Sequence, residues 1–210
     1  MSAANQTLSE TFTSSGTVRR VVLVAAASLL LGGLTSWAQG FLPEAFSSFA
    51  NSVSGWTVLT AALVYWSRLR GPGAAAVGVL SFVLLVLGYT VASDLRGLSY
   101  DPMMWSAIGV VAGPFVGLAA AWLREEGVRL ALGVAALTGI GVGDAVHGLT
   151  VVGDTTSPVY WTLVGAAGLA LLVGMLARRL RGAVPVAVAL AGTAAATGVL
   201  LLGYRVIGGA

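Results

Sequence analysis

Residues 74–93 read AAAVGVLSFVLLVLGYTVAS, twenty positions without a charged side chain. A helix needs about 20 apolar residues to cross a bilayer core, so this stretch predicts a transmembrane helix. The whole chain has the same character, with 57% hydrophobic and 9% charged residues, whereas a soluble domain carries roughly 25% charged residues. Because the apolar runs lack a period of two, they favour helices over a β-barrel. The sequence therefore predicts an all-α, polytopic transmembrane bundle.

Seven apolar stretches of this kind follow one another along the chain. They are Val21–Ala38, Val53–Trp66, Ala74–Ser93, Met103–Leu123, Val128–Val152, Val159–Ala177 and Ala183–Tyr204. Residues 1–18 are polar and rich in Ser and Thr, which predicts a disordered cytoplasmic tail before one membrane domain of residues 19–210. An alternative is a signal peptide, because Arg19, Arg20, the apolar run and the small residues around Ser36-Trp37-Ala38 resemble its parts.

The basic residues are all arginines, and their placement predicts the orientation. Only Arg96 and Arg205 fall on one set of alternate loops. The other nine fall on the opposite set: Arg19, Arg20, Arg68, Arg70, Arg124, Arg129, Arg178, Arg179 and Arg181. Since arginine is enriched in cytoplasmic loops, we expect the N-terminus inside and the C-terminus outside a multi-pass protein of the cell membrane. A six-span chain would have to bury one of these loops.

Composition also limits the possible partners and cofactors. The chain has no cysteine, which excludes disulfides and thiol nucleophiles. No basic face or soluble domain is available for a nucleic acid, so membrane lipid and a hydrophobic small molecule are the expected partners. One acid and one histidine make a poor metal site, and we expect neither a metal nor a cofactor.

The fifth predicted span contains an acid and the single histidine, in Gly143-Asp144-Ala145-Val146-His147. Their spacing of three residues places both on one face of a helix. Counted from Val128, Asp144 lies about 24 Å into a core of roughly 30 Å, where an ionised carboxylate is costly unless it is paired or faces a cavity. One interpretation is a structural Asp–His or Asp–Arg pair. The other is a proton donor or relay, since burial favours the protonated form of a carboxyl group.

Three further acids, Glu44, Asp94 and Asp101, lie at or near the same predicted outer side. Solvation in outer loops explains each of them singly. The functional interpretation places them with Asp144 and His147 in one catalytic site, in which Asp144, Asp94 or Glu44 donates the proton.

Aromatic residues are concentrated in the same outer half. Anchoring belts should populate both interfaces, so this excess predicts an aromatic-lined outer cavity or an amphipathic loop at Phe41–Phe49. A belt or ordinary packing is the alternative. The side chains expected to bind a substrate are Trp37, Trp56, Tyr89, Trp105 and Trp161.

Regularly spaced glycines occur in two predicted spans. Gly139, Gly141 and Gly143 either let the span unwind beside a ligand or allow tight packing, and the second interpretation is favoured. The series from Gly109 to Gly117, at four-residue spacing, predicts a close contact with another helix.

Short motifs in the first two thirds of the chain resemble an uncharacterised family of small actinobacterial membrane proteins. They are Gly33-Leu34-Thr35-Ser36-Trp37, Leu42-Pro43-Glu44, Ala50-Asn51-Ser52 before Trp56, and Gly113-Pro114 with Gly117 and Ala121-Trp122. The resemblance covers about residues 30 to 125 and implies topology without an activity. In size, span number and acids among aromatic residues, the chain also resembles small seven-span membrane-bound terpene cyclases of meroterpenoid pathways.

Two classes of function follow from these features. The first is an intramembrane enzyme that starts the cyclisation of a lipid-like prenyl chain by protonating it, with aromatic faces to stabilise the cation and a dry pocket around it. The second is a permease for a small solute, in which the acid and histidine couple transport to protons. An accessory membrane subunit without chemistry is a further alternative.

Overall fold

Residues 3–208 fold into eight α-helices and one short 3₁₀ turn. The computed structural model describes the backbone of these residues and the side chains of residues 15–208. The helices are α1 (Ala3–Ala38), α2 (Glu44–Ser47), α3 (Val53–Ser67), α4 (Gly71–Leu95), α5 (Met103–Trp122), α6 (Gly127–Thr150), α7 (Pro158–Arg178) and α8 (Ala183–Ile207), and the 3₁₀ turn is Ser48–Asn51. Residues 3–208 contain no strand. The predicted all-α class is confirmed.

Six of these helices are long and apolar enough to cross a membrane: α1 from Ser15, α4, α5, α6, α7 and α8. The chain is therefore an α-helical membrane protein. The predicted second span coincides with α3, whose 15 residues extend about 22 Å, which is less than a core of roughly 30 Å. A count of seven spans stays a prediction. The backbone is helical from Ala3, inside the predicted tail of residues 1–18, while Met1, Ser2 and the side chains of residues 1–14 lie outside the described part.

Close contacts between small residues hold α4 against both α1 and α5. Ser28 and Ser81 share a hydrogen bond of 2.8 Å between their hydroxyls, and α1 and α4 run parallel from there. A Cβ on Gly78 would collide with the backbone oxygen of Gly113 in α5. This contact confirms the predicted packing of the α5 glycines, because only a missing side chain lets the two backbones approach so closely.

The helices α6 and α8 form a second parallel pair. Gly139 of α6 faces the Ala196 methyl group of α8, and the Thr197 hydroxyl donates a 3.2 Å hydrogen bond to the Gly139 oxygen. Gly143 lies one turn further on, against Leu200. The Gly139–Gly143 stretch stays helical and packs tightly, as the favoured interpretation predicts. The helix α7 runs antiparallel along α6.

Apolar side chains form separate clusters in the two halves of the bundle. One cluster, which includes Val24, Val64 and Val77, joins α1, α3, α4 and α5. Another, which includes Leu130 and Leu172, joins α6, α7 and α8. Along the chain, α5 separates a group of α1, α3 and α4 from a group of α6, α7 and α8, and it packs with the first group.

Arginines gather at one end of the bundle, which we call the arginine-rich end. Arg20 of α1 donates to the Ser67 oxygen at the end of α3, at 3.3 Å. Arg124 donates to the Tyr65 oxygen at 2.6 Å, and Arg179 donates to the Leu123 oxygen at 2.6 Å. The ends of α3, α5 and α7 are thereby tied together. The opposite end, where α1, α4, α6 and α8 finish, is called the far end below.

Candidate functional site

Asp144 is the centre of a polar cluster inside the bundle. Its side chain is 0% exposed, and it lies six residues before the end of α6, or about 9 Å along the axis. Small neighbours let other helices approach α6 closely here, since Gly141 packs against Gly168 of α7 and Gly143 against Leu200 of α8. Consequently Asp144 can reach partners on both α3 and α8.

Two hydrogen bonds satisfy the Asp144 carboxyl group. The Ser54 backbone N–H donates to Oδ2 at 2.8 Å, and the Tyr204 hydroxyl donates to Oδ1. The one ion pair among residues 15–208 joins Arg70 and Glu125 at the arginine-rich end. The anticipated Asp–Arg pair is therefore absent from the described side chains, and Asp144 is held by neutral donors.

The N-terminus of α3 supplies the positive side of this environment. Ser52 is the N-cap residue, and its hydroxyl accepts from the Gly55 N–H at 3.0 Å. Asp144 accepts from Ser54 in the same first turn. These are N–H groups that a helix leaves unpaired, and its macrodipole favours negative charge at this end. A carboxyl group from α6 thus completes the cap of α3 inside the bundle.

Tyr160, at the start of α7, extends the cluster. Its hydroxyl shares hydrogen bonds with the Ser52 hydroxyl at 2.7 Å and the Ser54 hydroxyl at 2.8 Å. The resulting network joins α3, α6, α7 and α8, and each buried polar atom named in it has a partner, as a stable interior requires.

His147 joins the cluster through its ring. It is half-buried and stacks on Tyr204, with 3.8 Å between the ring centroids and 5° between the planes. No hydrogen bond links His147 to Asp144 among the described side chains. The spacing in the sequence does bring both residues to one site, because each contacts Tyr204 from the same face of α6.

An apolar cavity of about 460 Å³ lies beside this cluster. Parts of α3, α4, α5, α6 and α8 line it, together with Tyr100 from the α4–α5 loop. Aromatic rings form much of the wall near α3, α4 and α5, and two residues of the polar cluster, Ser52 and Tyr204, also line the cavity. An apolar space of the size that holds small ligands therefore lies against Tyr204, the residue whose hydroxyl group binds Asp144.

Of the five aromatic residues expected to bind a substrate, Trp56 and Trp105 line the cavity. Tyr89 lies behind this wall, with its ring centroid 5.7 Å from that of Trp56. Trp37 is 47% exposed at the far end, where the Arg96 guanidinium lies 5.3 Å from its ring centroid.

Trp161 also lies outside the cavity wall. Its indole N–H donates to the Thr156 hydroxyl at 2.8 Å, and its ring packs on Gly148 of α6. This contact accounts for its burial by packing between α6 and α7.

The remaining candidate acids are not brought to Asp144. Glu44 at the start of α2, Asp94 near the end of α4 and Asp101 in the following loop are all exposed. Asp101 accepts from the Met103 N–H at 2.9 Å, which is a local turn contact. Asp144 is the one buried acid among residues 15–208.

Four residues of the cluster were not predicted as site residues from the sequence: Ser52, Ser54, Tyr160 and Tyr204. A serine directly before an apolar run is an N-cap signal, which could have identified Ser52. Nothing local marks Tyr204, which lies 60 residues after Asp144. Its role follows only from the packing of α8 on α6.

Comparisons with known proteins give a family. No curated protein and no solved structure matches the chain. One family model matches residues 12–209, and its description is "Family of unknown function (DUF6518)". This agrees with the predicted resemblance to an uncharacterised family, and it extends to almost the whole chain. The protein with its buried Asp144 cluster and apolar cavity thus belongs to the DUF6518 family.

Proposed function

We propose that the protein is an intramembrane enzyme that cyclises a prenyl chain by protonating it from Tyr204, with Asp144 as the source of the proton. One observation carries the proposal: Tyr204 lines the apolar cavity, and its hydroxyl group hydrogen-bonds to the wholly buried Asp144. A hydroxyl group alone is a weak acid, and a carboxyl group behind it can replace the proton that it gives away.

The reaction begins with a neutral Asp144. Its Oδ2 keeps the hydrogen bond from Ser54. The hydrogen bond at Oδ1 reverses, so that the protonated Oδ1 donates to the Tyr204 oxygen and the Tyr204 hydroxyl donates to the substrate. Tyr204 transfers its own proton to a terminal alkene carbon or epoxide oxygen and receives the Asp144 proton in the same step. The alkene π bond or an epoxide carbon–oxygen bond breaks as the proton arrives, which leaves a carbocation. An internal alkene of the same chain attacks this cation, so its π bond becomes the ring carbon–carbon bond and the positive charge moves to the next carbon. Loss of a proton from carbon returns it to Tyr204 and Asp144, so the product is an isomer of the substrate.

The cavity wall suits a cation. The rings of Trp56 and Phe82 lie 6.0 Å apart by their centroids, and Trp105 lies on the same side. Aromatic faces attract cations within about 6 Å of their centroids. The apolar wall also keeps water from capturing the cation, which would end the reaction as an alcohol.

The proposal includes the finer topology: seven spans in the cell membrane, with the N-terminus in the cytoplasm and the C-terminus outside. The arginine-rich end supports it, since cytoplasmic ends are enriched in arginine. The short α3 fits if residues 39–52 dip below the outer headgroups, which is consistent with the contact between Ser54 and Asp144. The actinobacterial source rests on the short motifs of residues 30 to 125, and the likeness to terpene cyclases rests on size, span number and acids among aromatic residues.

Membranes that contain the protein test the chemistry directly. They are incubated with prenylated phenols and their terminal epoxides, and products are identified by mass spectrometry. Asp144→Asn keeps an acceptor for Ser54 and the side-chain shape, but it carries no acid proton, so we expect kcat to fall by about 10²–10⁴-fold with KM unchanged.

Asp154→Asn is the matched control, because Asp154 is exposed in the α6–α7 turn. It should form product like the unmodified protein. Equal product from Asp144→Asn and Asp154→Asn would overturn the proposal.

A proton-coupled carrier is the second candidate function. One observation favours it: the parallel pairs α1–α4 and α6–α8 flank α5 as two groups of three helices, and parallel repeats of this kind occur in carriers. Uptake of labelled solute into proteoliposomes, with no cyclised product in the first assay, would favour the carrier.

A further inference from the structure

The cavity is open on one side, between α5 and α8. Both helices pack against α6, which forms the floor between them. On the two edges of the opening, Phe115 of α5 is 68% exposed and Val199 of α8 is 70% exposed, although both line the cavity. These positions lie near the middle of α5 and α8. In a helix that crosses a membrane, that depth is hydrocarbon, so the opening faces lipid tails.

The lining of the cavity carries no charge. Among its described residues there is no arginine, histidine or acid, and its polar residues, such as Asn51, Ser52 and Tyr204, are uncharged. A phosphate or diphosphate group would lose its hydration there without a cation or a set of strong donors in return, which costs several kcal/mol or more. The cavity therefore favours an uncharged occupant.

We infer that the occupant is an uncharged isoprenoid chain, such as a prenol or a prenylated phenol, which enters sideways from the bilayer between α5 and α8. The inference rests on the proposed function and specifies its substrate class and route. The reactive end lies next to Tyr204, and the rest of the chain extends toward Phe115 and Val199. Prenyl diphosphates are excluded as substrates, because they would carry their charge into an uncharged wall.

Two glycines of α8 provide a matched pair of variants. Gly203 lines the cavity, and a Cβ built on it meets no atom within 4 Å. Gly198 lies five residues earlier on α8, and a Cβ there also meets no atom within 4 Å, but Gly198 does not line the cavity. Gly203→Leu therefore fills the space without forcing helices apart, and Gly198→Leu makes the same change on the same helix elsewhere.

Photolabelling in nanodiscs tests the route and the substrate class together. The probe is a C20 prenol that carries a diazirine near the middle of its chain, and adducts are mapped by mass spectrometry. We expect adducts at Phe115, Val199 and their neighbours, and a decrease of roughly tenfold or more in Gly203→Leu but not in Gly198→Leu. Excess unlabelled prenol should compete, and the C20 prenyl diphosphate should not.

Three results would overturn the inference: adducts elsewhere on the protein, equal labelling of both leucine variants, or equal competition by the diphosphate. Labelling of Asp144→Asn separates this inference from the proposed reaction. If adducts form there and in the unmodified protein but neither gives a product, the cavity assignment stands and the chemistry fails. If product forms but Gly203→Leu does not reduce the yield of adducts, the proposed reaction stands and the proposed entry route is wrong.

Discussion

Tyr204→Phe removes one oxygen atom from the centre of the site. The ring that stacks on His147 is retained, and the Asp144 carboxyl group keeps its hydrogen bond from Ser54. A buried hydrogen bond contributes about 0.5–1.5 kcal/mol, and pairs inside membrane proteins average about 0.6 kcal/mol with a maximum near 1.7. Because Asp144 is wholly buried, we expect a loss at the upper end, about 1–2 kcal/mol.

The consequence for turnover should be larger than the consequence for stability. Without the Tyr204 hydroxyl, the proton on Asp144 has no path to the cavity, so product formation should fall by about 10²–10⁴-fold. Unfolding in mixed detergent micelles measures stability, and mass spectrometry measures product. Tyr65→Phe is the control, since Tyr65 is exposed at the arginine-rich end and its side-chain hydroxyl has no hydrogen bond among the described residues.

A double-mutant cycle gives this prediction its sharpest form. Residues that act as one unit are not additive, so Asp144→Asn combined with Tyr204→Phe should lose no more activity than either change alone. A Tyr204→Phe protein that unfolds like the unmodified protein would show that the hydrogen bond to Asp144 does not contribute. Full turnover in Tyr204→Phe would show that the proton reaches the substrate by another route.

Two further changes test the packing and a group at the far end. Gly78→Ala should destabilise the bundle by about 1–3 kcal/mol in the same unfolding assay, because the added methyl group collides with the Gly113 oxygen. Gly174→Ala is the control and should be neutral or stabilising, since a Cβ there meets no atom within 4 Å. Equal effects of the two changes would contradict the close contact at Gly78. The pKa of Tyr100 is raised to about 12, mainly by burial and to a smaller extent by the neighbouring Tyr89 and Asp101. A raised pKa favours the neutral phenol in the folded state, so its contribution to stability is complete below pH 10 and is lost as the pH rises from about 10 to 12. The tyrosinate absorbance that disappears in Tyr100→Phe should titrate with a midpoint of about 12, and a midpoint near 10 would refute the assignment.

Several features of the fold could be predicted locally. The apolar stretch at residues 74–93 coincides with most of α4, and the predicted start at Met103 is the observed start of α5. Such predictions succeed because a backbone in hydrocarbon must satisfy its own hydrogen bonds, so a long apolar run has few alternatives to a helix. The close contact of the α5 glycines was also predictable, because a glycine repeat marks a face without side chains.

The site could be predicted only in part. Asp144 was conspicuous because an acid in an apolar run is costly wherever the helix packs. Glu44, Asp94 and Asp101 carry the same functional group, but their exposure depends on where the loops lie, which no local pattern reveals. Among the aromatic residues, Trp56 and Trp161 are both buried, yet only Trp56 lines the cavity.

The amino-acid sequence by itself determined that this protein is helical and belongs in a membrane. It also showed that Asp144, an acid in an apolar span, must have hydrogen-bond or charged partners. Only the tertiary structure decided which groups those partners are. The donors to Asp144 come from Ser54 and Tyr204, which lie 90 and 60 residues away, and the cavity exists because α6 separates α5 from α8. Helix formation and membrane partitioning are local free energies that sum along the chain, whereas hydrogen-bond partners and cavities depend on which distant helices meet.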